Sequence, residues 1–126
     1  MAVHSELGPG LLEKFYELAF CRELELRQIA FVRQFPIRLM YKGAPLGDQY
    51  VDLVVAGLIV IELKSVENVS DTHLAQLKSY MRSAKLPLGL IFNFNVARLK
   101  DGMYRRVLTR DTPLPSAFFK SDPLSV

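Results

Sequence analysis

The chain is poor in the residues that build several common kinds of functional site. Its 126 residues include 1 cysteine and 2 histidines. A lone thiol closes no internal disulfide, and Cys21, inside a helical segment, reads as a small core residue in a reducing compartment, so a cytoplasmic location is expected. His4 and His73 stand far apart, without cysteine partners at ligand spacing, which argues against a zinc centre. There is no glycine-rich phosphate loop, no serine-nucleophile elbow and no internal repeat. No apolar run approaches the roughly 20 residues that cross a bilayer. The opening MAVHSELGPG has neither the basic start nor the apolar stretch of a secretory leader. No membrane partner is expected.

At this length one domain with a single core is expected. Hydrophobic residues make up 50% of the chain and charged residues 23%, the balance of a globular domain rather than a disordered or fibrous one. The net charge of +3 is unevenly spread. Residues 1–62 carry 6 basic and 8 acidic side chains, a net −2, whereas residues 63–126 carry 10 basic and 5 acidic, a net +5. The second half offers either an ordinary solvated basic surface or a face suited to a polyanion beside an acidic cluster.

Gly8-Pro9-Gly10 is a breaker, and helical spacing follows it. Leu11, Leu12, Phe15, Tyr16, Ala19 and Phe20 recur at three- and four-residue steps, predicting a core-facing helix that ends near Gln28. Residues 31–41 read as a strand with Phe31, Arg33, Phe35, Ile37, Leu39 and Tyr41 on one face, at an edge or a bulge because of Pro36. Residues 42–47 read as a turn. Two apolar strands follow, 50–55 and 58–64, joined at Ala56-Gly57. A loop leads to a helix over 72–84, capped by Ser70 or Asp71, with Leu74, Leu77 and Met81 on one stripe. PLGLIFNF (87–94) is a further strand, in which Phe92-Asn93-Phe94 reads as core rather than as an RNA-stacking strip. Asp101-Gly102 leads into a short strand over 103–108. The domain thus spans 1–108, and 109–126 is a proline-containing tail. The three central strands are expected to pair antiparallel, and the 64–87 crossover to bring the next strand in parallel. The fold class expected is α/β, a mixed sheet with helices packed on it.

The chemistry lies on the apolar strands YVDLVVA and LIVIELK. Strands this rich in Val, Ile and Leu are normally buried on both faces, where charge is rare unless paired or bound to metal. A hairpin centred on Gly57 sets position 55 against 59 and Asp52 against Glu62, with Cβ atoms about 4.5–5.5 Å apart. Two ionised carboxylates that close repel, and a divalent cation between them removes the penalty; oxygen donors suit Mg²⁺ or Mn²⁺. Lys64, two residues from Glu62, shares its face and is placed to hold a phosphate or to orient and deprotonate water. The set fits metal-assisted phosphodiester hydrolysis. It equally fits a salt bridge between Glu62 and Lys64 at a solvated strand end, or a buried network that fixes strand register. Gln76 and Tyr80, four apart, share a face of the helix that follows, where they are either near the site or an ordinary surface pair. Glu13 sits among core positions of the first helix, where a role at the helix dipole is the competing account.

Taken together these segments resemble the GxxExxY protein family within the PD-(D/E)XK nuclease superfamily. Gly10-Leu11-Leu12-Glu13-Lys14-Phe15-Tyr16 carries the naming motif, preceded by the family-like VHSELGPG. Asp52 with Glu62 and Lys64 matches the acidic and Glu-X-Lys elements. Gln76 and Tyr80 match the Gln-xxx-Tyr pattern of the branch that resembles RecB and the lambda exonuclease. GLIFNF and LKDGMYRRV are also similar, so the resemblance covers about residues 3–108. It implies a restriction-endonuclease-like αβββαβ core and a Mg²⁺- or Mn²⁺-dependent nuclease, with DNA ahead of RNA as substrate; a catalytically silent nucleic-acid-binding or assembly module is the alternative. Asp52, Glu62 and the main-chain carbonyl of Leu63 would hold the metal, with Glu13 as a further acidic group. Lys64 would be the catalytic lysine, and Gln76 and Tyr80 would orient substrate or lysine. Tyr50 departs from the arginine usual two residues before the aspartate. Relatives carry further helix ahead of Val3, and apolar surface exposed on the first helix without it favours a homodimer.

Overall fold

The computed structural model describes residues 1–108, and the tail over 109–126 lies outside the described residues. In chain order the elements are α1 (Ala2–Leu7), α2 (Glu13–Leu26), β1 (Phe31–Tyr41), β2 (Ala44–Val55), β3 (Ile59–Lys64), α3 (Asp71–Ala84), β4 (Leu88–Asn93), a 3-10 turn (Leu99–Gly102) and β5 (Met103–Val107). The strands form one sheet in sequence order, antiparallel at β1–β2, β2–β3 and β4–β5 and parallel at β3–β4. The expected αβββαβ order and the parallel crossover are therefore present.

Each face of the sheet has its own core. Tyr16, Phe20 and Leu24 of α2 pack with Leu53, Ile59, Ile61, Leu63, Leu90 and Phe92. Leu77, Tyr80 and Met81 of α3 pack with Ile37, Val51, Val54, Val60 and Ile91. The alternation along β3 and β4 is the period-2 rule applied to strands buried on both sides. Cys21 is buried in the first core, which pushes its thiol up to about 11. Helix α3 starts at a capping box in which the Ser70 hydroxyl accepts from the His73 amide and the Ser70 amide donates to His73 Nδ1, a reciprocal arrangement that satisfies two otherwise orphan donors. The hairpins turn at Lys42-Gly43 and Ala56-Gly57, all four residues with positive φ, the geometry that matches the twist of antiparallel strands.

Three expectations are corrected and one element is added. The first helix does not bury Leu11, Leu12 and Phe15; Leu12 is 65% exposed, and the buried line is Tyr16, Glu17, Phe20, Cys21 and Leu24. Apolar residues line both sides of α2, so periodicity alone does not choose between the stripes; the sheet chooses the one whose Tyr16 stacks on Phe94, ring centroids 4.3 Å apart. The turn after β1 is two residues, not six, and β2 runs on through Pro45-Leu46-Gly47 with a bulge at Leu39/Met40. β1 does not keep one face inward: Phe31 packs on the α2 side but Phe35 and Ile37 on the α3 side, because the strand rolls over at Gln34, φ 51. Val3 and His4 belong to a short helix, α1, held where His4 Nε2 meets the Val96 carbonyl at 2.8 Å.

Buried Asn93 fixes the segment that follows β3. Its Oδ1 accepts from the Val66 amide at 3.1 Å and its Nδ2 donates to the Val66 carbonyl at 2.9 Å. Replacing Asn93 by Ala removes the acceptor of the Val66 amide and leaves the Val66 carbonyl only the longer bond from Asn95 Nδ2 at 3.4 Å, and a loss of about 1–3 kcal/mol is expected in urea unfolding.

Candidate active site

The β2–β3 ladder is short, with Val55↔Ile59, Val54↔Val60 and Leu53↔Ile61 as its pairs. One step further the strands part, and Asp52 and Glu62 fill the gap with side chains. Asp52 Oδ2 accepts from the Leu63 amide at 2.8 Å, and the Asp52 amide donates to Glu62 Oε1 at 3.2 Å. Each carboxylate thus replaces a strand as the acceptor for a backbone N–H that would otherwise be stranded. Glu62 and Lys64 alternate with Val60 and so point to the α3 side of β3. Lys64 Nζ lies 3.9 Å from Glu62 Oε2. On α3 Tyr80 is close enough to feel the charge of both carboxylates, and Gln76, one turn earlier, lies beside it.

The electrostatics are those of too much negative charge in too little water. Burial and then the neighbouring Asp52 push Glu62 from its ordinary 4.5 up to about 8, against the pull of the Asp52 amide and the Lys64 ammonium. Asp52 is also raised, first by burial; the Leu63 amide opposes this and the charge of Glu17 adds to it. Tyr80 is raised by burial and then by Glu62 and Asp52. One ammonium at 3.9 Å does not offset two buried carboxylates.

The donor set fits an oxygen-preferring divalent cation. Asp52 Oδ1 and Glu62 Oε2 remain after the backbone amides are served, and hard carboxylate oxygens are what Mg²⁺ and Mn²⁺ take. Among the described residues no group of three His, Cys, Asp or Glu side chains converges as a metal-holding set. Glu13 accordingly stands apart from the pair: its Oε2 accepts from the Ser65 amide at 3.2 Å, and Ser65 Oγ donates to the Leu11 carbonyl at 2.8 Å. It clasps the start of α2 to the residue after Lys64, and its charge is felt at Asp52.

The structure thus brings Asp52, Glu62 and Lys64 together, with Gln76 and Tyr80 beside them from α3 and Glu13 at the rim from α2. Sequence reasoning passed over Glu17, Arg33, Gln34 and Asn93. Glu17 left a signal: it falls on the buried line of α2, one residue after Tyr16 and three before Phe20, where an acid needs partners.

Over residues 1–107 the chain matches the PD-(D/E)XK nuclease superfamily. The match covers all but the tail, and the chain belongs to that superfamily. Its five-stranded mixed sheet with flanking helices is the restriction-endonuclease-like α/β fold. No curated protein and no solved structure matches the chain. Membership makes it a nuclease-like protein. No helix among the described residues is long and apolar enough to cross a membrane.

The raised Glu62 has a consequence for stability. In the unfolded chain Glu62 gives up its proton near 4.5, and in the fold only near 8. Between these values ionisation favours the unfolded state, so without metal stability falls as pH rises from about 4.5 to about 8 and levels off on either side. The decline is on the order of a few kcal/mol, because each tenfold difference in proton affinity between fold and unfolded chain is worth about 1.4 kcal/mol. Thermal melts in EDTA are expected to show it, Glu62→Gln to flatten most of it, and Mn²⁺ to raise Tm most at pH 8.

Proposed function

We propose that the protein is a Mg²⁺- or Mn²⁺-dependent nuclease that hydrolyses phosphodiester bonds of nucleic acid, DNA before RNA. The observation that carries this reading is the buried Asp52–Glu62 pair, under-neutralised by Lys64, at the point where β2 and β3 part. Asp52, Glu62 and the main-chain carbonyl of Leu63 would hold the cation. When bound, such an ion polarises the phosphoryl oxygen and lowers the pKa of water. Lys64 lies beside Glu62 on the same face, placed to hold the scissile phosphate or to accept the proton of the attacking water. Gln76 and Tyr80 orient the lysine or the substrate from α3. Glu13 adds negative charge from α2 while its clasp on Ser65 steadies the end of β3.

Placement in the GxxExxY family belongs to the same reading. Its motif residues have matching structural work here: the Tyr16 hydroxyl donates to the Gly8 carbonyl at 2.6 Å and accepts from the Leu11 amide at 3.1 Å, fixing the lead-in to Glu13. The single buried thiol fits a cytoplasmic location. The catalytically silent binding module is the second reading, favoured by the two-carboxylate rather than three-carboxylate site and the basic second half of the chain.

A cleavage assay on plasmid, linear duplex, single-stranded DNA and RNA separates the two. With Mn²⁺ or Mg²⁺ the wild type is expected to cleave at least one substrate, EDTA to stop it, and Lys64→Ala or Glu62→Ala to cut the rate at least about 100-fold with the fold intact, on the scale of removing a positioned acid–base or electrostatic group. Activity within a few fold of wild type in either variant rejects the site. Salt-sensitive binding without turnover selects the silent module. A homodimer through the outer face of α2 also belongs to this reading, supported by the exposure of Leu12, Phe15 and Leu18. Sedimentation is expected to give the mass of two chains, and Leu18→Glu the mass of one; a wild-type monomer rejects the dimer.

A further inference from the structure

Glu17 is buried on α2, 6% exposed, and none of the roles above uses it. Both of its oxygens are taken: Oε2 accepts from Arg33 Nε at 2.6 Å and Oε1 from Gln34 Nε2 at 2.8 Å. The two donors are consecutive residues of β1, and the second has φ 51, a left-handed conformation that is strained for a non-glycine residue and tends to cluster at functional sites. Arg33 pairs with Leu53 and Phe35 with Val51, so Gln34 stands opposite Asp52. Beside its immediate neighbour Glu62, Asp52 also feels the charge of Glu17, which raises its pKa. The cluster therefore adjoins the Asp52–Glu62 pair from the α2 side, as Gln76 and Tyr80 do from the α3 side.

Arg33 is only partly used by this contact. Among the described residues its terminal amino groups have no acceptor, and the side chain is 46% exposed. An exposed arginine ordinarily swings through many rotamers. Here a buried carboxylate grips Nε, fixing the guanidinium plane and leaving the terminal nitrogens free. That fork matches two oxygens of one phosphate. Glu17 neutralises part of the charge, but its oxygens face Arg33 Nε and the Gln34 side-chain amide rather than the outer nitrogens.

We propose that Arg33, held by Glu17, is a substrate-binding residue that takes a backbone phosphate of the nucleic-acid strand lying at Asp52 and Glu62. The inference rests on the nucleic-acid reading above, but not on hydrolysis. Gln34 is then a positioning residue: its strained backbone lets one strand offer two successive donors to a single carboxylate. The plainer account is an ion pair that only satisfies a buried acid, in which case Arg33 matters to stability alone.

Fluorescence anisotropy of a labelled single-stranded DNA and of the RNA of the same sequence, with the full chain in EDTA across a salt series, distinguishes the two. Arg33→Ala leaves Glu17 buried and unpaired and risks unfolding. The variant to rely on is the double change Glu17→Gln with Arg33→Gln, which keeps an amide pair and strands no charge. It is expected to melt cooperatively, to bind several-fold more weakly, and to lower the slope of log affinity against log salt by about one. Arg33→Lys keeps the charge, so its slope is expected to match wild type while affinity drops with the loss of the fork. A folded double variant with wild-type affinity and slope overturns the proposal, as does a wild type that binds neither oligonucleotide. Cleavage measured in parallel with Mn²⁺ keeps the two readings apart. A chain that binds but never cuts defeats the hydrolytic reading, and Arg33 is still judged by the slope.

Discussion

Where β2 and β3 stop pairing, at Leu53 and Ile61, the amides of Asp52 and Leu63 lose the strand acceptors that a longer ladder would supply. Buried backbone N–H groups are rarely left without a partner. Two carboxylates meet the need, and much of the local structure follows from this exchange. Because the carboxylates are spent on amides inside an apolar sheet, they are buried. Because they are buried and adjacent, they hold protons more tightly than ordinary acids. The same placement that satisfies the two amides concentrates acidic charge, which a proton or a cation would relieve. Divergence of the strands is thus both a break in the ladder and the reason two carboxylates are held side by side.

The elements around that opening hold its edges still. Asn93 takes both backbone groups of Val66, the Phe94 amide donates to the Lys64 carbonyl, and Glu13 takes the amide of Ser65. Three contacts from two distant parts of the chain converge on the three residues from Lys64 to Val66. A lysine at the last position of a strand would ordinarily fray. This one is anchored on both sides, which is what the proposed reaction would need from a group whose amine would have to stay within reach of one phosphate.

Much of this was legible from sequence. The element order came from apolar periodicity and breakers, and Asp52, Glu62 and Lys64 stood out because charge is improbable in YVDLVVA and LIVIELK. What could not be read was anything decided by which of two similar faces meets the sheet. Helix α2 is apolar on both sides, so Leu12 and Phe15 looked as good a core as Tyr16 and Phe20. β1 alternates cleanly on paper, yet the roll at Gln34 turns Phe35 to the opposite face from Phe31. No local propensity predicts a left-handed glutamine in mid-strand; it exists because Glu17, seventeen residues earlier, supplies its amide with an acceptor.

The acids near the opening differ less in type than in what their oxygens already hold. Glu17 has a donor on each oxygen, one of them a guanidinium. Glu13 gives one oxygen to a loop amide at the surface. Glu62 gives one oxygen to a backbone amide and keeps the other, facing an ammonium too distant for a good hydrogen bond. Asp52 is in the same half-used state. Burial alone would not separate Glu17 from Glu62, since both are nearly sealed. The unspent oxygens do: a buried carboxylate with one oxygen unbonded and a raised pKa is unstable as it stands and would gain from a cation, whereas one with a donor on each oxygen and a guanidinium beside it is already compensated. By that criterion α2 contributes a compensated support in Glu17, and the open acceptors lie at the two residues where the strands part.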